Sequence, residues 1–408
     1  MRILLVNKFI FPKGGAETYT FDVGKMLEEH GHEVQYFGLE NEKNIVGNRV
    51  DSYVTNMDFS QGIRANLNAP FRIIYSREAR KKIRAVLDDF QPDVVHLNNI
   101  QYHLTPSIIL EINKWRKETK KECKIVYTTH DYQLVCPSHG MFDVNMKPCE
   151  RCLDGHYIHC LQTKCLKNSR AKSLLGTLDG YIWKYRKAYS YGDAYICCSF
   201  FLKSKLDTQK RFRDKTIGLH NFKKEMPHLD NIQKKGYVLE FGHLSRDKGT
   251  DTLLEVAKKM PNTEFVFIGY GPSADKMKDI PNVKYLGFKT GEELYRIIAE
   301  AAISVCPSEW YENCPYSVME SVLLGTPVVG SKMGGIPELI ESGKTGELFE
   351  AGNVEDLMKA IKKVLQTQDV LERYTKNCSQ VNYETTESYY VKLMKIYRGE
   401  KNVEQISS

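Results

Sequence analysis

The chain has 408 residues, which is long for one core, and two domains of ordinary size are expected. Its 42% hydrophobic and 27% charged content is that of a soluble globular protein, and no run approaches the ~18 apolar residues of a membrane-spanning helix. The net charge of +7 comes without an RNA- or DNA-binding motif, so no nucleic-acid partner is expected.

The opening MRILLVN is strand-like rather than a secretory leader, and a cytoplasmic location is expected. There, eleven cysteines mean thiols or metal ligands rather than a disulfide framework. Short apolar, β-branched runs then alternate with longer helical patterns, which predicts an α/β fold of parallel sheets. In the first half strands are expected at Ile3–Val6, Val34–Phe37, Val94–Leu97, Ile125–Thr129 and Ala194–Cys198. Helices are expected between them at Glu17–Glu29, Ser107–Lys117 and Phe201–Phe212.

From Phe71 to Arg84 six basic residues (Arg72, Arg77, Arg80, Lys81, Lys82, Arg84) face one acid, Glu78, with apolar residues interleaved. Such a segment suits either an anionic membrane surface or a solvated helix face. Polar residues from Lys223 to Lys235 mark a hinge. The boundaries expected are therefore 1–222 for a first domain with an insertion at 136–173, and 236–380 for a second domain. A final helix in 381–408 is expected to lie back on the first domain. The second half has strands at Tyr237–Phe241, Phe265–Ile268, Val283–Leu286, Ile303–Cys306 and Val328–Gly330, with helices at Thr252–Lys259 and Ser317–Leu324.

Loops that follow parallel strands are where such folds bind ligands. Gly14-Gly15 lets backbone N–H groups approach an anion at a helix start, and it is not the G-x-G-x-x-G of dinucleotide enzymes. His243, Arg246 and Lys248 lie on a glycine-bounded loop that suits a diphosphate. The most specific segment runs from Glu312 through Asn313, Cys314 and Pro315 to Glu320. Eight residues of helix would span ~12 Å, a scale for gripping two ends of a long ligand rather than for an acid/base pair on one bond. Carboxylates accept paired hydrogen bonds from vicinal hydroxyls, and the helix start between them faces whatever joins the two ends.

Taken together, PKGGAET, DVVHLNN, TTHDYQLVCP, LHN, GHLSRDKG, PSEWYENCPYSVMES and GTPVVGSKMGGIPELI resemble the retaining GT-B glycosyltransferases of family four, over nearly the whole chain. The resemblance implies two Rossmann-like domains facing a cleft and a nucleoside-diphosphate-sugar donor, UDP or GDP. It implies that Glu312 contacts the transferred sugar, Glu320 the ribose and Lys248 the diphosphate. It also implies that His130 lies near the anomeric centre and that Asn221 belongs to the donor site. The chain departs from the family at His243, where arginine is usual; Arg246 or a protonated His243 supplies the charge. His96, Asn98 and Asn99 follow another strand and are candidates for acceptor contact. No cofactor is implied for catalysis, and the acceptor is a glycan or a lipid-linked molecule, as in bacterial surface polysaccharide assembly. An epimerase on the same fold and a non-catalytic sugar-binding or scaffold module are the competing readings.

The insertion carries Cys136, Cys149, Cys152, Cys160 and Cys165. The C-x2-C and C-x4-C spacings suit a structural zinc on Cys149, Cys152, Cys160 and Cys165, with Cys136 as an alternative ligand. Reduced thiols without metal are the other reading.

Overall fold

A computed structural model gives the structure of residues 1–56, 69–224 and 226–400, and for residues 69–71 the backbone only. The Phe71 side chain, Glu225 of the hinge stretch and residues 401–408 of the C-terminal segment thus lie outside the described residues. The chain forms two compact units. One comprises Met1–Val144, Cys149–Asn221 and Thr386–Ser408; the other comprises Phe222–Thr385 with Asn145–Pro148.

In the first unit the elements are β1 (Arg2–Val6), α1 (Gly15–Glu29), β2 (Glu33–Phe37), α2 (Ala69–Ile74), α3 (Arg77–Phe90), β3 (Val94–Leu97), α4 (Ser107–Thr119) and β4 (Lys124–Thr129). They continue with α5 (Ile158–Thr163), α6 (Arg170–Tyr185), β5 (Ala194–Cys197), α7 (Phe200–Leu206) and β6 (Thr216–Gly218). The six strands are parallel in the order β2-β1-β3-β4-β5-β6. Every residue of β3 and β5 is buried, His96 of β3 included, so neither strand alternates between a covered and a solvated face.

The second unit contains β7 (Val238–His243), α8 (Thr250–Lys259), β8 (Phe265–Tyr270), β9 (Val283–Tyr285), α9 (Gly291–Glu300), β10 (Ile303–Cys306) and α10 (Tyr316–Leu323). After these come β11 (Val328–Ser331), α11 (Ile336–Leu339), β12 (Gly346–Phe349), α12 (Val354–Val364) and α13 (Gln368–Cys378). Its sheet is also parallel, ordered β12-β11-β10-β7-β8-β9. Strand order reverses between β1 and β3 in one sheet and between β7 and β10 in the other. Those are the points where loops diverge and leave room for a ligand.

Three expectations change. The helix expected at Phe201–Phe212 ends at Leu206, because the chain turns to bury Phe212 and to add β6 to the sheet edge. β6 and β12 were not read as strands; they are only three and four residues long. The segment 72–84 contributes to α2 and α3, and three of its four arginines pair within the fold. Arg72 meets Glu78 at 2.5 Å, Arg80 donates to Glu111 at 2.9 Å and Arg84 donates to Glu118 at 2.6 Å. Ala79, Ile83, Val86, Leu87 and Phe90 form the buried side of α3, so this is the solvated helix face of the two readings.

The last helix, α14 (Thr386–Arg398), belongs to the first unit and packs on α1 and β4. It buries Tyr389, Leu393, Met394, Ile396 and Tyr397. Tyr390 stacks on His30 with ring centroids 3.6 Å apart. Tyr389 and Tyr397 enter a buried polar chain. Tyr389 Oη lies 2.6 Å from Tyr19 Oη, which is 3.0 Å from Thr128 Oγ1. His96 bridges Thr128 Oγ1 and Tyr397 Oη at 2.7 Å each. Tyr397→Phe should therefore cost about 1–3 kcal/mol by leaving the His96 ring nitrogen unsatisfied in the core. Tyr390→Phe, at the helix edge, should cost less in the same urea denaturation series.

Candidate active site

In the second unit the loops after β7, β10 and β11 are stitched into one structure. Gly249 ends the β7 loop in the left-handed region (φ +78°), and a Cβ there would lie 1.9 Å from Pro307 O. Glu309 N donates to Asp247 O at 2.9 Å, and Thr252 Oγ1 donates to Glu309 Oε1 at 2.5 Å. On the other side Gly335 N donates to Glu312 O at 2.7 Å. Gly334 (φ +62°) leaves no room for a Cβ, which would fall 2.0 Å from that same oxygen. Small residues at Gly249 and Gly334 are thus what allow the loops to close around Glu312.

Within this frame Lys248 Nζ meets Glu312 Oε1 at 2.5 Å and lies 4.8 Å from the Trp310 ring. Burial tends to lower the Lys248 pKa, but the charge and hydrogen bond of Glu312 outweigh it and raise it, so the ammonium persists. A second pair has the same form: Lys223 Nζ meets Glu320 Oε1 at 2.6 Å, both half-buried, with Lys223 5.3 Å from the Tyr316 ring. Lys223 was not among the expected site residues, since nothing in its polar surroundings marks it. α10 starts at Tyr316, so the three residues after Glu312 are outside the helix and the ~12 Å helical span does not apply.

The other donor-site expectations are placed unequally. Asn313 and Cys314 are buried, Cys314 Sγ lying 3.8 Å from Met319 Sδ, and Pro315 is the cap residue of α10. His243 and Arg246 are exposed, with His243 edge-on to Tyr270. Lys248 is therefore the cation that the three loops hold in place. Beneath it Glu240 on β7 is buried and accepts from Thr250 Oγ1 at 2.7 Å.

In the first unit Gly14 is extended and α1 begins at Gly15. The buried Glu17 carboxylate sits at this helix start and accepts from Asn7 Nδ2 at 3.1 Å, so the chain's own anion occupies part of the expected anion site. His130 follows β4; its Nε2 is 2.9 Å from Asn98 Oδ1 and its ring packs edge-on to Tyr19. Burial lowers the His130 pKa to about 3, so the ring is neutral at pH 7. Asn98 is buried, while Asn99 is half-buried and takes its backbone bond from Lys8 N. Asn221 is buried with Oδ1 unpartnered among the described residues. His96 is a correction: it is 0% exposed with both ring nitrogens bonded, which leaves it no face for an acceptor.

All eleven cysteines are free thiols. Cys136, Cys149, Cys152, Cys160 and Cys165 line one small cavity, and the Cys160 and Cys165 sulfurs are 2.9 Å apart. Among the described residues no group of three or more His, Cys, Asp or Glu is arranged to hold a metal ion. No described helix is long and apolar enough to cross a membrane.

Glu240 yields a pH prediction. Burial raises its pKa from 4.5 to about 8. Between those values the folded chain keeps a proton that the unfolded chain has lost. Stability should fall across that window with a slope of up to about 1.4 kcal/mol per pH unit and level off on either side. Glu240→Gln should remove that slope in urea denaturation between pH 5 and 8 while keeping the Thr250 contact.

Both units of the chain match known proteins. Residues 13–221 match the family described as Glycosyltransferase Family 4, and residues 221–381 match Glycosyl transferases group 1. An uncharacterized 42.6 kDa protein in the cps region of Klebsiella pneumoniae is 24% identical over 361 residues, 83% of this chain and 87% of its own. The amylovoran biosynthesis glycosyltransferase AmsK of Erwinia amylovora is 30% identical over 166 residues, 37% of this chain and 41% of its own. Among solved structures, HepE of Anabaena in complex with UDP superposes with a TM-score of 0.66 at 17% identity, over 98% of this chain and all of that one, which shows the GT-B fold. The family match over both units, on two parallel α/β sheets of that fold, makes the protein a glycosyltransferase: the chain belongs to glycosyltransferase family 4.

Proposed function

We propose that this glycosyltransferase moves a sugar, with retention of configuration, from a nucleoside-diphosphate sugar to a glycan or lipid-linked acceptor of a surface polysaccharide. The observation that carries the reading is the Lys248–Glu312 pair held where the β7, β10 and β11 loops are stitched. A diphosphate arriving at Lys248 supplies a stronger anion than one carboxylate. Glu312 is then released to accept hydrogen bonds from sugar hydroxyls, and Glu320, paired with Lys223, does the same for the ribose.

In the transfer itself the bond from the anomeric carbon to the phosphate oxygen breaks, and the acceptor oxygen bonds that carbon on the same face. The leaving phosphate takes the acceptor's proton. Lys248 neutralises the charge that grows on the phosphate, and no protein nucleophile is required. His130, neutral at pH 7, serves as a hydrogen-bonding group rather than a charge.

UDP is the favoured base because HepE was solved with UDP, with GDP as the alternative to test. A polysaccharide role is supported by the cps-region and amylovoran relatives. Such acceptors are presented at the cytoplasmic face of a membrane, so the reading includes work at that surface. The cysteine cavity belongs to the proposal as well. Five thiols line one small space; they are not set out as a ligand shell in this structure, and a structural zinc would have to draw four of them together to staple the insertion.

Incubation with a panel of UDP-, GDP- and ADP-sugars should give slow release of one nucleotide. Lys248→Ala should lower that rate by about 10²–10³-fold, and Glu320→Ala should raise the donor KM. Absence of binding to every donor, or an unchanged rate in Lys248→Ala, sinks the reading. Elemental analysis of the purified protein should find one zinc per chain, with a lowered Tm after chelation. A folded, zinc-free protein of unchanged Tm rules the metal out.

A further inference from the structure

α6 (Arg170–Tyr185) carries large apolar side chains on both its inner and its outer side. Apart from the buried Trp183 its inward face is small: Ser173, Gly176, Thr177 and Gly180 lie against α5 and the loops beside it. A Cβ at Gly176 would lie 2.4 Å from Leu166 Cδ1, and one at Gly180 2.7 Å from Tyr157 Cδ2, so the close approach depends on those glycines. Thr177 Oγ1 donates to Tyr157 O at 3.1 Å. Three large residues on the other side are exposed. Leu174 is 45% exposed, Leu178 44% and Tyr185 89%.

Leu174, Leu178 and Tyr185 recur at helical spacing, so they form one straight stripe roughly 16 Å long, edged by the half-buried Tyr181, which packs on Tyr157. Ile158 of α5, 39% exposed, extends it, since Ile158 N lies 3.3 Å from Tyr181 Oη. Propensity does not account for this: a solvent-facing helix normally carries charges there.

The stripe ends in cations. Between residues 167 and 187 there are six basic residues (Lys167, Arg170, Lys172, Lys184, Arg186, Lys187) and one acid, Asp179. Asp179 is half-buried and accepts from Trp183 Nε1 at 2.9 Å, on the inward side. Lys167, Arg170, Lys172, Arg186 and Lys187 are all exposed. We infer that the outer face of α6 docks on an anionic lipid surface, the apolar stripe entering the headgroup boundary and the basic ends contacting anionic headgroups.

Charge decides the occupant. A second copy on a two-fold axis would set one cationic end against the other, whereas an anionic bilayer matches both ends and the stripe together. The surface also differs from the basic segment at 72–84, where Arg72, Arg80 and Arg84 are already paired with carboxylates. The inference rests on surface composition alone, independent of the donor chemistry, and is tested without sugar transfer.

The full chain should co-sediment with phosphatidylcholine vesicles containing about one-third phosphatidylglycerol, weakly with phosphatidylcholine alone, and less as salt is raised. The triple variant Leu174→Ser, Leu178→Ser, Tyr185→Ser and the double variant Arg170→Glu, Lys172→Glu should each reduce the bound fraction about 10-fold or more. Both should stay folded with a cooperative thermal transition, because each of the three apolar residues replaced is more than 40% exposed and Arg170 and Lys172 are exposed. Absence of binding to anionic vesicles, or unchanged binding in both variants, overturns the inference. So does a wild-type dimer that the variants convert to monomer in light scattering, which would make the face a protein contact.

Discussion

The placement of Glu312 depends on the backbone around it having no side chains in the way. Two left-handed glycines, Gly249 and Gly334, allow the loops after β7 and β11 to lie against the β10 loop at distances that a single Cβ would forbid. Once those loops meet, backbone hydrogen bonds to Asp247 and Glu312 lock them, and Lys248 has a carboxylate within reach. The ion pair is a consequence of loop closure rather than its cause. A half-buried pair of this kind contributes little net stability against its desolvation cost. Its value lies in holding a cation and an acceptor group ready, in a place where water competes poorly.

The first unit solves a different problem. Its sheet is buried on both faces and closed over by a helix from the far end of the chain. That helix is secured by a polar chain through the core, from Tyr389 and Tyr397 to Tyr19, Thr128 and His96. Every member is bonded, which is the condition under which buried polar groups specify a structure instead of weakening it. The same network removes His96 from the surface, and Asn98 is buried as well, leaving His130 after β4 and Asn99 after β3 as the half-buried members of the expected set.

α6 shows how packing can override helix patterning. Close contact with Tyr157 and Leu166 requires glycines on the inner face, and the outer face is left to Leu174, Leu178 and Tyr185. A reading of periodicity alone finds apolar residues at helical spacing and assigns them to a core. Direction, inward or outward, is not contained in the period.

The sequence by itself determined the two parallel α/β halves, because strands buried on both faces leave short apolar, β-branched runs. It also determined that the loops after β1, β7 and β10 were the ones to examine, because glycines and paired glutamates stand out in a linear pattern. Only the tertiary structure decided which cation of His243, Arg246 and Lys248 is held in place, since that depends on loop contacts between residues more than 60 positions apart. It alone revealed Lys223 as the partner of Glu320, 97 positions away. It also turned Arg72, Arg80 and Arg84 into members of internal ion pairs and His96 into a core residue. Pairings over such distances in sequence have no spacing rule; they exist only once the chain has folded.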